Sequence, residues 1–223
     1  MCGRFTLSTN LADIQQAFNI QEVAFAPEPS YNIAPTQPVM AVIQHENRNR
    51  LDVMRWGLIP VWAKDIAIGS KMINARAETL AEKPSFKRLL KSRRCLIVAD
   101  GFYEWQKLGA RKTPMYIRLA SHQPFAFAGL YDRWTSPDGE PITSCAIITT
   151  EPNALMQPIH NRMPVIVPQD QRSLWLDPAN RHADGLLALL KPYPAEEMEA
   201  YAVSRLVNSP ENNSPDCIVP ASQ

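Results

Sequence analysis

The sequence predicts an α+β fold: a single domain built on a largely antiparallel, barrel-like β-sheet flanked by short helices. Three observations lead there. Apolar runs of strand length outnumber helical periodicities. Most of those runs follow one another directly, across turns rather than across helices. Proline is frequent, at 20 residues against 8 glycines, which favours stiff connections and interrupted strands. The 223 residues suffice for one sizeable core. No linker divides them, so one domain over 1–223 is expected.

In chain order, NLADIQQAFN (10–19) sets Leu11, Ile14 and Phe18 at helical spacing behind a capping Asn10. VMAVIQ (39–44) and LDVMRWGLI (51–59) read as a strand pair. Pro84 and Ser85 open a basic helix to about Lys91, with Phe86, Leu89 and Leu90 on its apolar side. CLIVA (95–99) is a buried strand, and ADG turns it into FYEWQK (102–107). KLGARK (107–112) reads as a loop before the strand PMYIRLA (114–120). PFAFAGLYDRW (124–134) and ITSCAIITT (142–150) are strands joined by the turn SPDG (136–139). EPNALMQ (151–157) reads as a short helix started by Pro152. MPVIV (163–167) is a strand, two acidic helices follow near 170–176 and 183–190, and a strand lies near 199–205. The tail LVNSPENNSPDCIVPASQ is expected to wrap the surface, in part mobile.

Composition limits the function. Hydrophobic residues make up 45% and charged residues 20%, a globular balance. No apolar stretch reaches membrane-spanning length, and the N-terminus lacks the basic and apolar regions of a secretory signal. The four cysteines, Cys2, Cys95, Cys145 and Cys217, contain no Cys-x-x-Cys pair, which argues against zinc and against a disulfide framework. The expected compartment is the cytoplasm, and no metal or cofactor is expected. Net charge is +1, yet residues 169–223 carry −4 and residues 1–168 carry +5. Lys83 to Arg94 has six bases and no acid, a block that suits phosphate but equally a solvated helix face.

The chain opens MCGRFTLS. Aminopeptidases remove an initiator methionine when the next side chain is small, so Cys2 can become the N-terminus. It would then carry an α-amine and a thiol on neighbouring carbons, a pair no other position offers. An α-amine has a pKa of about 7.7–8.0, so roughly a tenth is neutral at pH 7, whereas a lysine is almost wholly protonated. The amine can form a Schiff base with an aldehyde. The tethered thiol can then close a five-membered thiazolidine, with the advantage of an intramolecular attack. Gly3 leaves the approach open, and Arg4 stands where it can hold an anion.

Three more stretches carry polar clusters inside apolar sequence: INARAET (73–79), GFYEW (101–105) and PIHNRMP (158–164). Asn74 and Arg76 alternate and share a face if the stretch is extended. Glu104 lies between Tyr103 and Trp105, where desolvation would raise its pKa toward neutrality and fit it for proton transfer. His160 and Arg162 alternate at the mouth of a strand. Each also has a plain reading: Glu104 as the solvent side of an amphipathic strand, His160 as a loop histidine. Spacing alone does not join these stretches to Cys2.

The chain resembles the SOS-response-associated peptidase family, also described as abasic-site processing proteins. The resemblance runs over nearly the whole length. It rests on MCGRF, YNIAPTQPV, RWGLIPVWAKD, INARAET, RRCLIVADGFYEW, FAFAGLYDRW and HNRMPVIV, all in order, with Val98 standing where many members have proline. The resemblance implies capture of abasic sites in single-stranded DNA as a covalent thiazolidine on Cys2, shielding the lesion, and self-processing that exposes this cysteine. It implies that Asn74 positions Cys2 and the opened sugar. Glu104 is then the acid/base group, and His160 protonates or orients the sugar. Arg4, Arg76 and Arg162 are implied as phosphate contacts. Among Trp56, Trp62 and Trp105, Trp62 is taken as the DNA-stacking candidate. The implied partner is abasic single-stranded DNA, bound by a monomer without a membrane.

Three rivals stand beside this reading. An N-terminal-nucleophile glutamine amidotransferase also begins Cys-Gly, but GRFT departs from the usual apolar continuation and no glutamine-binding block is present. A non-catalytic DNA-binding module would leave Cys2 incidental. A protease acting on other proteins would recruit Cys2, Glu104 and His160, but has no evident substrate cleft.

Overall fold

The computed structural model describes residues 2–221. The strands are β1 (Phe5–Leu7), β2 (Glu22–Val23), β3 (Ser30–Ile33), β4 (Pro38–His45), β5 (Arg48–Trp56), β6 (Asn74–Arg76), β7 (Arg94–Ala99), β8 (Gly101–Leu108), β9 (Arg111–Leu119), β10 (Phe125–Thr135), β11 (Pro141–Thr150), β12 (Met163–Pro164) and β13 (Met198–Ala202). The helices are α1 (Leu11–Phe18), α2 (Pro84–Ser92), α3 (Arg172–Leu176) and α4 (Ala183–Leu187), joined by short 3₁₀ turns.

Five strands close a barrel. The order β11-β10-β7-β4-β5 is antiparallel throughout, and β5 returns to β11 in parallel through Ser144↔Arg55 and Cys145↔Trp56. A second, antiparallel sheet runs β13-β9-β8-β1-β3. The barrel-like α+β expectation therefore holds. The long apolar runs supply the closed strands because both sides of each strand find partners, which removes edges.

The two sheets meet in an aromatic core. Phe5 on β1 packs edge-to-face on Trp56 at 5.1 Å and on Phe127 at 5.6 Å, and Phe102 on β8 packs on Phe127 at 6.0 Å. Phe5 is fully buried and stands three residues after Cys2, so the start of the chain is anchored in the core. The far end of β1 is tied by Asp100. Its carboxylate accepts from the Thr6 hydroxyl at 2.5 Å, and from the amide and hydroxyl of both Ser8 and Thr9 at 2.6–3.0 Å.

Several elements differ from the expectation, each for a local reason. The stretch 107–112 is not a loop: β8 and β9 pair as far as Leu108↔Arg111, leaving a tight turn at Gly109, whose φ is +59°. The stretch 151–157 is a series of turns rather than a helix. The Asn153 side chain and carbonyl both capture the amide of Met156, and Pro158 follows directly. Only Met163–Pro164 of MPVIV pairs as a strand with β11; the next residues alternate, with the Val165 amide donating to Ile148 and the Val167 amide to Ala126. β1, β3 and β6 went unread as strands because they are three or four residues long.

The described part of the tail wraps the surface and is tied down. Asn32 donates to the carbonyls of Val207, Ser209 and Asn212, and Asn213 accepts from the Tyr31 amide at 2.6 Å. Cys217 is buried in this strap, its thiol 3.4 Å from the Asn212 carbonyl. No helix among the described residues is long and apolar enough to cross a membrane.

Candidate active site

Backbone pairing brings the quoted polar stretches together. β1 runs antiparallel to β8 with Phe5↔Phe102 and Thr6↔Gly101, and the Tyr103 amide donates to the Arg4 carbonyl at 2.9 Å. Continuing that register sets Gly3 opposite Glu104, beside Cys2. From the other side, β6 lies parallel to β11 in the register Ile147↔Asn74 and Thr149↔Arg76. Asn74 Nδ2 donates to the Cys2 carbonyl at 2.8 Å. β12 pairs with the same end of β11, Thr150↔Met163, and so delivers the 158–162 segment. Gln106 Nε2 donates to the Pro158 carbonyl at 3.1 Å, tying β8 to the segment that carries His160.

Cys2, Asn74, Glu104 and His160 thus form one cluster. Cys2 is fully buried, and burial together with the Glu104 charge pushes its thiol far above the ordinary range. The thiol is therefore neutral here, and the site does not hold a preformed thiolate. Glu104 is 4% exposed; burial raises its pKa above the ordinary 4.5, while the nearby His160 acts in the opposite direction. His160 Nδ1 lies 3.0 Å from the Arg162 amide nitrogen and 3.2 Å from the Arg162 carbonyl oxygen, contacts that fix the orientation of the ring. Asn74 Oδ1 and Thr149 Oγ1 are buried and have no hydrogen-bond partner among the described residues. Met1, which precedes Cys2 in the sequence, lies outside the described residues.

The proposed phosphate contacts divide. Arg76 is exposed and makes none of the described ion pairs. Arg162 grips Glu78 with both terminal nitrogens, at 2.7 and 2.9 Å, and donates to the Thr149 carbonyl at 2.7 Å. Arg4 is half-buried and donates to Asn32 Oδ1 at 2.7 Å and to the Val207 carbonyl at 2.6 Å, with its guanidinium 5.8 Å from the Trp105 ring centre. Trp62 is 61% exposed, on a loop that leaves the barrel through Gly57. Gly57 has φ +126°, and a side chain there would meet the Gly69 carbonyl at 2.7 Å, so only glycine allows this exit. Trp56 is wholly core, its indole N–H spent on the Ile73 carbonyl, and Trp105 packs with the tyrosine cluster. Sequence reasoning missed the partners that fix the arginines, Glu78 and Asn32. Glu78 carried a signal, an acid inside the INARAET block of a basic stretch.

Known proteins resemble this chain along nearly its whole length. The SOS response associated peptidase (SRAP) family profile matches residues 1–210. Abasic site processing protein YoqW of Bacillus subtilis (strain 168) is 56% identical, over 98% of this chain and 99% of that protein. Abasic site processing protein HMCES of Gallus gallus is 33% identical, over 99% of this chain and 78% of its own. The crystal structure of a protein from Bacteroides thetaiotaomicron superposes with a TM-score of 0.90 at 30% identity, covering 99% of this chain and all of the other. The chain belongs to the SOS response associated peptidase (SRAP) family.

Proposed function

We propose that this protein captures abasic sites in single-stranded DNA as a covalent thiazolidine on Cys2, once Met1 has been removed, and so shields the lesion during the DNA damage response. The observation that carries the reading is the Asn74 amide held on the Cys2 carbonyl at 2.8 Å, with buried Glu104 beside the same cysteine. The names of the two relatives above supply the class of lesion. Single-stranded DNA suits the chemistry because no partner strand has to be displaced to reach the sugar.

The chemistry runs in two steps. The freed Cys2 amine adds to the aldehyde carbon of the opened sugar, and the carbinolamine loses water as Glu104 gives up its proton. The thiol then adds to the iminium so formed: sulfur bonds to the same carbon, the C=N electron pair returns to nitrogen, and the thiol proton restores the Glu104 carboxyl. A neutral, buried thiol fits this order, since the amine acts first. Asn74 holds the Cys2 carbonyl through Nδ2, leaving Oδ1 to accept from the released amine. His160 orients the sugar hydroxyl. Arg76 meets phosphate from an exposed position, Arg4 and Arg162 add fixed positive charge on either side, and Trp62 offers a stacking surface.

Mass spectrometry of the purified protein, with and without an abasic oligonucleotide, tests the reading. The expected species lacks methionine and gains the oligonucleotide mass less one water, on Cys2. An adduct on a lysine, or none, would refute it. Ammonia release from glutamine would favour an amidotransferase instead.

Two further outcomes follow. Glu104→Gln is expected to slow crosslinking roughly 100-fold or more, the scale of a lost general acid. It is also expected to stabilise the fold near neutrality. Glu104 keeps its proton in the folded state above its ordinary value, so the wild type loses stability as pH rises from 4.5 through the folded value. Glutamine has no such loss, and the gap in melting temperature should widen from pH 4 to pH 7. A wild-type crosslinking rate would remove Glu104 from the mechanism. Arg76→Ala is expected to lower the salt slope of single-strand binding by about 0.7, one phosphate contact. An unchanged slope would strike Arg76 from the phosphate list.

A further inference from the structure

We propose that the lysine face of α2 and the Trp62 loop form one track for the phosphodiester backbone of single-stranded DNA. This rests on the single-stranded DNA reading above and extends it to residues outside the Cys2 cluster.

The six bases between Lys83 and Arg94 separate into two groups. Arg94 is buried and donates to the carbonyls of Leu90, Trp175 and Asp177. Arg93 lies over the Tyr131 ring at 5.4 Å, and Arg88 pairs with Asp132 at 2.6 Å. These three hold the helix to the barrel. The other three, Lys83, Lys87 and Lys91, are exposed and make none of the described ion pairs. They recur every fourth residue, so they line one side of the helix about 6 Å apart along its axis.

That arrangement opposes helix stability. Like charges four residues apart repel, and Lys83 at the cap and the absence of any acid in the first turn work against the helix dipole. Phe86, Leu89 and Leu90 hold the helix by burial on the opposite side, so the lysines are not needed for packing. A surface that keeps repelling charges fits a polyanion.

Asp132 connects this face to an aromatic one. Its Oδ2 accepts from Arg88 and from the Val61 amide at 3.3 Å, so the helix and the loop meet at one carboxylate. Val61 and Trp62 next to that joint are both more than half exposed, and Trp134 fixes the loop by donating to the Ala63 carbonyl at 2.7 Å. A row of cations joined to an anchored loop with an exposed indole is the combination that single-strand binders use: charge for the backbone and a ring face for a base.

The test is binding of undamaged single-stranded oligonucleotides of about 4 and about 16 nucleotides, the range of single-strand footprints. The variant carries Lys83→Gln, Lys87→Gln and Lys91→Gln together. On the long oligonucleotide the salt slope should fall by about 2, from three lost phosphate contacts. On the short one, binding should be unchanged, and the melting temperature should not drop. Trp62→Ala should weaken the long oligonucleotide at every salt concentration, with the slope kept. An unchanged slope on the long oligonucleotide overturns the proposal. So does equal loss on both lengths, or preferential binding of polyglutamate by the wild type. The reading uses no crosslink, so it stands or falls apart from the chemistry of Cys2.

Discussion

Replacing Cys2 with serine is expected to abolish the stable DNA adduct while leaving binding to undamaged single strands within about twofold of wild type. The amine survives the substitution, so a Schiff base still forms and remains hydrolysable. What is lost is the second bond. A hydroxyl is a poorer nucleophile toward an imine than sulfur, and the five-membered ring does not persist. A denaturing gel should show no retained band for the variant, whereas borohydride, which reduces imines, should restore one. Serine fits the space of the wholly buried Cys2 side chain, and its hydroxyl should cost the fold no more than about 1–3 kcal/mol, which urea unfolding reads directly. Equal loss of binding and crosslinking would make Cys2 a structural residue. Persistence of the borohydride-free band would move the covalent bond to another group.

The fold was legible where apolar runs were long. β4, β5, β7, β10 and β11 form the closed barrel; four of them were visible as runs of four or more apolar residues, and β5 through the broken apolar pattern of LDVMRWGLI. Ring closure was not visible. It depends on the parallel contact of Trp56 with Cys145, some 90 residues apart, and no local period encodes a contact of that range. The cluster was legible as residue types but not as a place. Asn74 reaches Cys2 only because the three-residue strand β6 lies along β11, and a strand that short has no periodicity to read. The burial expected for Glu104 followed correctly from its aromatic neighbours Tyr103 and Trp105. The fate of the arginines is set by distant partners. Arg4, Arg76 and Arg162 look alike in sequence, yet two are committed to Asn32 and Glu78, which are 28 and 84 residues away.

Substituting alanine at Gly101 is expected to damage stability and crosslinking together. Gly101 has an ordinary backbone conformation, so the constraint is space. A Cβ there would sit 2.0 Å from the Tyr116 hydroxyl and 2.1 Å from the adjoining ring carbon. Tyr116 cannot easily retreat: its hydroxyl is 2.9 Å from Thr6 Oγ1, and its ring packs on Tyr103 at 5.1 Å and Tyr201 at 5.6 Å. Either the ring or β8 must move. Overpacking of this kind costs about 1–3 kcal/mol, or more where both sides are rigid. β8 carries Glu104 three residues on and pairs with β1 behind Cys2, so its displacement should also separate the acid from the nucleophile. Urea unfolding measures the first effect, and the crosslinking rate of the folded fraction measures the second. Tyr116→Ala in the same chain should recover part of the loss, because the two changes act on one contact and their costs should sum to more than the double variant's. Strict additivity would place the strain elsewhere, and wild-type stability for Gly101→Ala would mean that the tyrosine packing is loose enough to yield.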